Sequence, residues 1–337
     1  MTNRIPAFVC AAVTLWASAV PAEEVPVLVP WQRSYQAAAQ LYARGDYPAA
    51  TRTIDEAVVL ASAADGEESA AVGTAVSLQG AVRLARADFE GAEAAFAKAL
   101  RIVMSAQTPD SKDVANLYNN LAEVARGRGR HADAIDLQRK RLVLLESRDV
   151  SDPLELASAL QDLALVLHDA GRLDEADPLY VRALAVLESS SGVPLAQVMR
   201  LLANQADLLG RTGRYEQAVA NLERVVAWEQ NALGATHPDV ASTLNTLATV
   251  RSNAGAHEQA MAPYREALRI RRAALASQHP AVANVLVNMA MTSRDLGRTD
   301  DARRYAAEAV AILQASMGHD DERLLAARRL LARLGEG

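Results

Sequence analysis

Apolar residues recur along this chain at three- and four-residue spacing, in stretches separated by short polar breaks. Leu154 to Ala170 and Leu173 to Glu188 are two such stretches, each long enough for several helical turns. Gly171 lies between them. The same break returns every 42 residues, at Gly45, Gly129, Gly171, Gly213, Gly255 and Gly297, with Ala87 in place of one glycine. Glycine enters positive φ without steric cost, so it ends one helix and turns the chain into the next. The pattern predicts a helix, a tight turn and a second helix, seven times over. A fixed period of this length specifies a solenoid of supersecondary units rather than one globular core.

Further rows keep the same phase. Seven residues before each anchor stands a small residue: Ala38, Gly80, Ala122, Ala164, Ala206, Ala248 and Ala290. Five residues after it stands alanine in every unit: Ala50, Ala92, Ala134, Ala176, Ala218, Ala260 and Ala302. Small side chains on both helices let the two backbones approach closely. The positions thirteen and fifteen after the anchor are apolar throughout, from Val58 and Leu60 to Val310 and Ile312. They are expected to form the seam between neighbouring units. Trp228 falls in the second of these rows, which assigns it to the core. Arg141 and Val225 stand where the other units have alanine, and with Ala87 they predict local loosening.

The small–Gly–Ala spacing in "LALVLHDAGRLDEADPLYVRALAVL", from Leu163, resembles the tetratricopeptide repeat. The 42-residue unit, with "HPDVASTLNTLA" from His237 and "HPAVANVLVNMA" from His279, is similar to the kinesin-light-chain type. The resemblance runs from Trp31 to about Met317. It implies an all-α, right-handed superhelical solenoid of seven helix-turn-helix repeats over residues 31–319, with a cap and tail over 320–337. Within that last part, Asp321 to Leu334 reads as a lone capping helix. Ala332 continues its small-residue row, and Arg323, Arg329 and Arg333 supply a polar face.

The N-terminus reads differently. Arg4 precedes an apolar run from Ile5 to Val20, and Val20-Pro21-Ala22 offers small residues before Glu23. This is the pattern of a cleaved export signal over residues 1–22, followed by an extended lead-in over 23–30. The expected location is therefore outside the cytoplasm, in a bacterial periplasm, with no stable membrane span after cleavage. An uncleaved anchor is the competing reading. Cys10 is the single cysteine and lies in the signal, so thiol chemistry and cysteine metal sites drop out of the mature chain.

Formal charge is −6. From Arg251 onward there are 13 basic and 10 acidic side chains, whereas residues 23–250 carry 21 basic and 31 acidic. No concentrated basic patch marks a nucleic-acid partner. Arg128-Gly129-Arg130 is a short basic corner at a turn. The chain lacks G-x-S-x-G, Walker and H-E-x-x-H motifs. His237 and His279 precede prolines at successive repeat junctions, a helix-start arrangement. No cofactor, metal or catalytic residue is expected, and the chain reads as non-enzymatic.

The resemblance further implies that the first helix of each pair lines a concave groove. Facing it would be Asn116, Asn119, Asn120, Glu123, Arg126, Gln161, Asp162 and His168, then Arg200, Asn204, Asp207, Arg211, Asn245, Asn284, Asn288 and Arg294. Amides offer both donor and acceptor to a peptide main chain, and arginine adds bidentate recognition of carboxylates. The same asparagines could instead bond neighbouring helices, and His168 could be a groove contact or a plain exposed side chain. The function this points to is binding an extended protein or peptide partner. Self-assembly of the chain, or a cytoplasmic kinesin-light-chain-like adaptor lacking an export signal, are the alternatives.

Overall fold

The computed structural model describes residues 28–106, 112–147, 152–275, 278–316 and 321–335. The expected signal over 1–22, residues 23–27 of the lead-in, Cys10 and His319 lie outside the described residues. Among the described residues there are fifteen helices and no strand. The first helices of the hairpins are α1 Pro30–Ala43, α3 Ala70–Ala85, α5 Lys112–Gly127, α7 Pro153–Asp169, α9 Leu195–Arg211, α11 Pro238–Asn253 and α13 Pro280–Asp295. The second helices are α2 Tyr47–Asp65, α4 Phe89–Ala106, α6 His131–Glu146, α8 Leu173–Glu188, α10 Tyr215–Leu233, α12 His257–Ala274 and α14 Thr299–Ser316, and α15 Glu322–Gly335 follows them. The chain divides into two compact units, Met1–Arg172 with α1 to α7 and Leu173–Gly337 with α8 to α15. Within each unit, successive helices pack on one another.

Each turn is built the same way. All seven anchors lie at positive φ, between 60° and 79°. The anchor N–H donates to the carbonyl three residues back, and the next N–H to the carbonyl five back, as in Gly45 to Tyr42 and Asp46 to Leu41. This closes the first helix with the six-to-one and five-to-two bonds of a glycine-terminated cap. The residue after the anchor already accepts from the alanine four further on, as Asp46 does from Ala50. The connection is thus three residues long and, within each unit, leaves little freedom in the angle between the helices it joins. At Ala87 the same two bonds form, from Ala87 to Leu84 and from Asp88 to Arg83, with Ala87 at φ of 60°. The expected loosening is absent: the fold holds alanine in the left-handed region at a cost of about 1–2 kcal/mol.

The small residues seven before and the alanines five after the anchor are buried in every unit. At Gly80 there is no room for a side chain, since a Cβ there would lie 2.7 Å from the Phe96 ring. The deepest rows on the second helices differ from the expected seam. They fall nine and twelve residues after the anchor: Ile54 and Ala57, Phe96 and Ala99, Tyr180 and Ala183, Leu222 and Val225, Tyr264 and Ala267, Ala306 and Ala309. With the alanine at five, these positions form one helical stripe. The expected rows flank it. Ile102, Ile270 and Ile312 are buried, but Leu60, Val186 and Trp228 are half-buried, so Trp228 borders the core rather than filling it. Val225 fits its row without loosening, 3% exposed.

Helix starts follow the chemistry of their caps. Asp46, Ser69 and Asp152 accept backbone N–H groups through their side-chain oxygens. His237 and His279 do so through Nδ1, accepting from Asp239 at 3.2 Å and Ala281 at 3.1 Å, with proline at the first helical position. On α15, Leu324 and Ala327 complete the core of the second unit, whereas Ala332 is exposed.

Two substitutions test this geometry. Ala87→Gly is expected to raise unfolding stability by about 1 kcal/mol, by releasing left-handed strain. Gly80→Ala is expected to lower it by about 1–3 kcal/mol, with partial recovery when Phe96→Leu is added. Urea denaturation followed by far-ultraviolet circular dichroism reads both, and an unchanged midpoint for Gly80→Ala would contradict the close approach.

Candidate functional site

On the first helices, positions 13, 9, 6 and 2 before the anchor lie on one face by helical spacing. In the second unit α9 presents Arg200, Asn204, Asp207 and Arg211 there, all exposed except the half-buried Asn204. On α13 the same face carries the exposed Asn284, the half-buried Asn288 and the exposed Met291. In the first unit α5 carries Asn116, Asn120 and Glu123, all half-buried. The amide side chains of Asn116 and Asn120, and of Asn204 and Asn284, make no hydrogen bond among the described residues. These four keep donor and acceptor free.

Asn245 and Asn288 are engaged. The Asn288 amide donates to Asn245 Oδ1 at 3.2 Å and lies 3.5 Å from Thr249 Oγ1. Thr249 in turn bonds the Tyr264 hydroxyl at 3.0 Å, and burial raises the Tyr264 pKa against the opposing pull of that bond. A buried tyrosine on α12 thereby fixes two amides on α11 and α13. Asn288 Oδ1 and Asn245 Nδ2 remain unused, one acceptor and one donor held in place.

Other expected site residues are tied up within the first unit. Arg126 bonds Glu123 at 2.9 Å and Asp169 at 3.2 Å. Burial lowers its pKa, but the two carboxylates more than offset this and the net shift is upward. Gln161 and His168 are buried, so the expectation that they face a groove is corrected: their side chains lie at 8% and 4% exposure. In the second unit Arg294 pairs with Asp295 on its own helix at 2.7 Å.

Asn119 and Asp162 belong to a buried polar network. Arg141, on the core stripe of α6, donates from Nη1 to Asp162 Oδ2 at 2.6 Å and to Asn119 Oδ1 at 2.9 Å. Gln138, fully buried one turn earlier, donates to Asn119 at 2.8 Å, and Ser158 donates to Asp162 at 3.2 Å. Here α5, α6 and α7 are joined by hydrogen bonds where other units pack hydrocarbon. Arg141 breaks its alanine row in the sequence. The break signals a special position and not its partners.

The basic corner Arg128-Gly129-Arg130 is likewise internal. Both arginines clamp Glu93, at 2.6 Å and 2.8 Å. The bond from Arg130 outweighs a small burial cost and, with attraction from both guanidinium groups, lowers the Glu93 pKa below its usual 4.5.

Among the described residues no group of three or more His, Cys, Asp or Glu side chains is placed to hold a metal. Ser252 approaches His257 Nδ1 at 3.3 Å, but its hydroxyl also bonds Thr292 at 2.9 Å, and the pair sits at a hairpin turn without a carboxylate to orient the ring. No described helix is long and apolar enough to cross a membrane.

A family profile described as Tetratricopeptide repeat matches residues 72–147, 113–189, 155–226 and 195–273, and a second of the same description matches 282–322. No curated protein matches the sequence. Among solved structures, BtubC (BKLC) from P. vanneervenii is 20% identical, with a TM-score of 0.58 over 69% of this chain and 94% of that one. The apo quorum sensor NprR from B. thuringiensis is 16% identical, with a TM-score of 0.61 over 90% and 80%. A Rap protein complexed with Competence and Sporulation Factor is 12% identical, with a TM-score of 0.54 over 91% and 75%. At these identities the likeness is one of fold.

Two measurements check the polar contacts. Asp162→Ala is expected to cost about 3–5 kcal/mol by stranding the Arg141 guanidinium, whereas Arg141→Met with Asp162→Leu recovers most of the loss. A double variant as unstable as the single one would remove the ion pair from this account. For Glu93, the folded pKa lies below the unfolded one, so its contribution is complete above the unfolded value and vanishes as pH falls through the folded one. The stability gap between wild type and Glu93→Gln is therefore expected to close as the pH drops below 4.5, read by urea titration across pH.

Proposed function

The chain belongs to the tetratricopeptide repeat family, and on that premise we propose that it is an exported, non-enzymatic scaffold that binds an extended peptide or protein segment. The segment lies on the exposed face of the first helices. The observation that carries this reading is the pair of unpartnered amides on the second unit, Asn204 and Asn284, a feature that Asn116 and Asn120 show separately on the first unit. An extended backbone offers an N–H and a C=O at each residue, and an asparagine amide complements both without regard to side-chain sequence. The fixed Asn245–Asn288 pair adds one donor and one acceptor already ordered, so less entropy is lost on binding. The similar Rap fold, solved with Competence and Sporulation Factor, lends support by analogy of fold. Export rests on the N-terminal signal pattern around Arg4 and Ile5 to Val20.

The test is photo-crosslinking in cells from position 204, with a second probe at Arg224, an exposed residue of α10. A discrete adduct from position 204 alone, identified by mass spectrometry, is the expected result. Asn204→Ala with Asn284→Ala is expected to keep the melting curve and weaken binding of that captured partner about tenfold or more. Adducts from position 224 alone, or adducts only between copies of the chain, would overturn the assignment. Cell fractionation decides export separately: a full-length precursor confined to the cytoplasm would refute it.

A further inference from the structure

The second helices of the second unit carry a feature that the amide face does not explain. Between α12 and α14 runs a cleft of about 660 Å³, with Leu268 and Met289 as its floor. Its rim is cationic: Arg265, Arg269 and Arg272 line one side and Arg304 the other, against the single acid Glu308. Arg304 lies over the ring of Tyr305, 5.1 Å from its centroid. Arg269, Arg272 and Arg304 have carboxylate neighbours in Glu266, Glu308 and Asp301, but exposed Arg265 has no ionic partner among the described residues.

The repeat supplies an internal control. The corresponding cleft two repeats earlier, between α8 and α10, is smaller, at about 310 Å³. There Val181 stands at the position of Arg265, Ala220 at that of Arg304, and Gln205 at that of Met289. One repeat earlier the Arg265 position is Glu223. The fold produces the cleft, but Arg265, Arg269, Arg272 and Arg304 have Val181, Ala185, Glu188 and Ala220 as counterparts in the earlier one, and Met289 has Gln205.

We propose that the cleft between α12 and α14 docks an acidic peptide segment, distinct from the segment held on the first helices. Successive arginines at 265, 269 and 272 are spaced along α12 by roughly 6 and 4.5 Å of axial rise. Alternate side chains of an extended chain are separated by roughly 6.8 Å, which matches the gap from Arg265 to Arg269, while the long Arg272 side chain must reach along the helix to meet the next carboxylate. Arginine holds carboxylates in a planar, bidentate geometry. An apolar side chain between them covers Leu268 and Met289. A cleft with apolar side chains at its floor fits a peptide that carries both carboxylates and an apolar residue rather than a flat anionic membrane.

The experiment is fluorescence anisotropy with a short fluorescein-labelled peptide of glutamates and a central leucine, and its glutamine analogue. The wild type is expected to bind the glutamate peptide, more weakly as salt rises, and not the analogue. Arg265→Glu is expected to weaken binding about tenfold, and Arg265→Ala, at an exposed side chain, gives a smaller loss without a fold change. Asn204→Ala with Asn284→Ala is expected to leave this binding intact, which separates failure here from failure of the amide face. Equal binding of both peptides, equal affinity of Arg265→Glu and wild type, or preference for phosphatidylglycerol vesicles over the peptide would each overturn the proposal.

Discussion

The close approach of two helix backbones in the hairpins of each unit is the constraint on which everything else rests. It needs a small residue seven before the turn and alanine five after it, and both rows are fully shielded from solvent. Such contact is favourable only if the helices meet at one fixed angle, since close-packed interiors tolerate little displacement. The three-residue turn supplies that angle by fixing the last carbonyls of one helix and the first N–H groups of the next. The demand is strict enough that Ala87 is driven into a backbone region that side chains avoid. With the hairpin fixed, the face of every other side chain follows from its distance to the turn, the amides and the outer clefts included.

Sequence periodicity exposes what each unit must share. The turn, the small residues and the histidine starts are all of this kind, because their requirement is local and identical each time. The deepest row, nine residues after the turn, has no common residue: Ile54, Phe96, Gln138, Tyr180, Leu222, Tyr264 and Ala306 occupy it. What is conserved there is the volume filled jointly with a neighbour, as when Gly80 makes room for Phe96. Pairwise complementarity of this sort leaves no trace in single columns. The seam expected at thirteen and fifteen was visible for the opposite reason, since its uniform aliphatic character marks a border that any apolar residue suits.

The amide face was legible as composition and not as bonding. Asn245 and Asn288 are 43 residues apart, one off the repeat, and only the packing of α11 on α13 brings their amides together. Asn119 and Asp162 read as surface groups because nothing in their spacing reveals Arg141 reaching them from the core. Charge patterning fared likewise. The basic excess after Arg251 was evident, but its concentration at one cleft depends on which faces of α12 and α14 meet.

The network around Arg141 also bears on how such an array could be altered over time. Periodic genes invite unequal crossing-over, which deletes, duplicates or reorders units while keeping the period. Most junctions here would survive such an exchange, since alanine at the twelfth position meets whatever hydrocarbon follows. The third unit would not. Its guanidinium needs Asn119 on the helix before it and Asp162 on the helix after it. Moved elsewhere with Asn119, it would meet Asn204, Thr246 or Asn288 in place of Asp162 and bury a charge without a counterion, at a cost of several kcal/mol. One hydrogen-bonded seam therefore ties the third repeat of an otherwise modular chain to the helix that follows it.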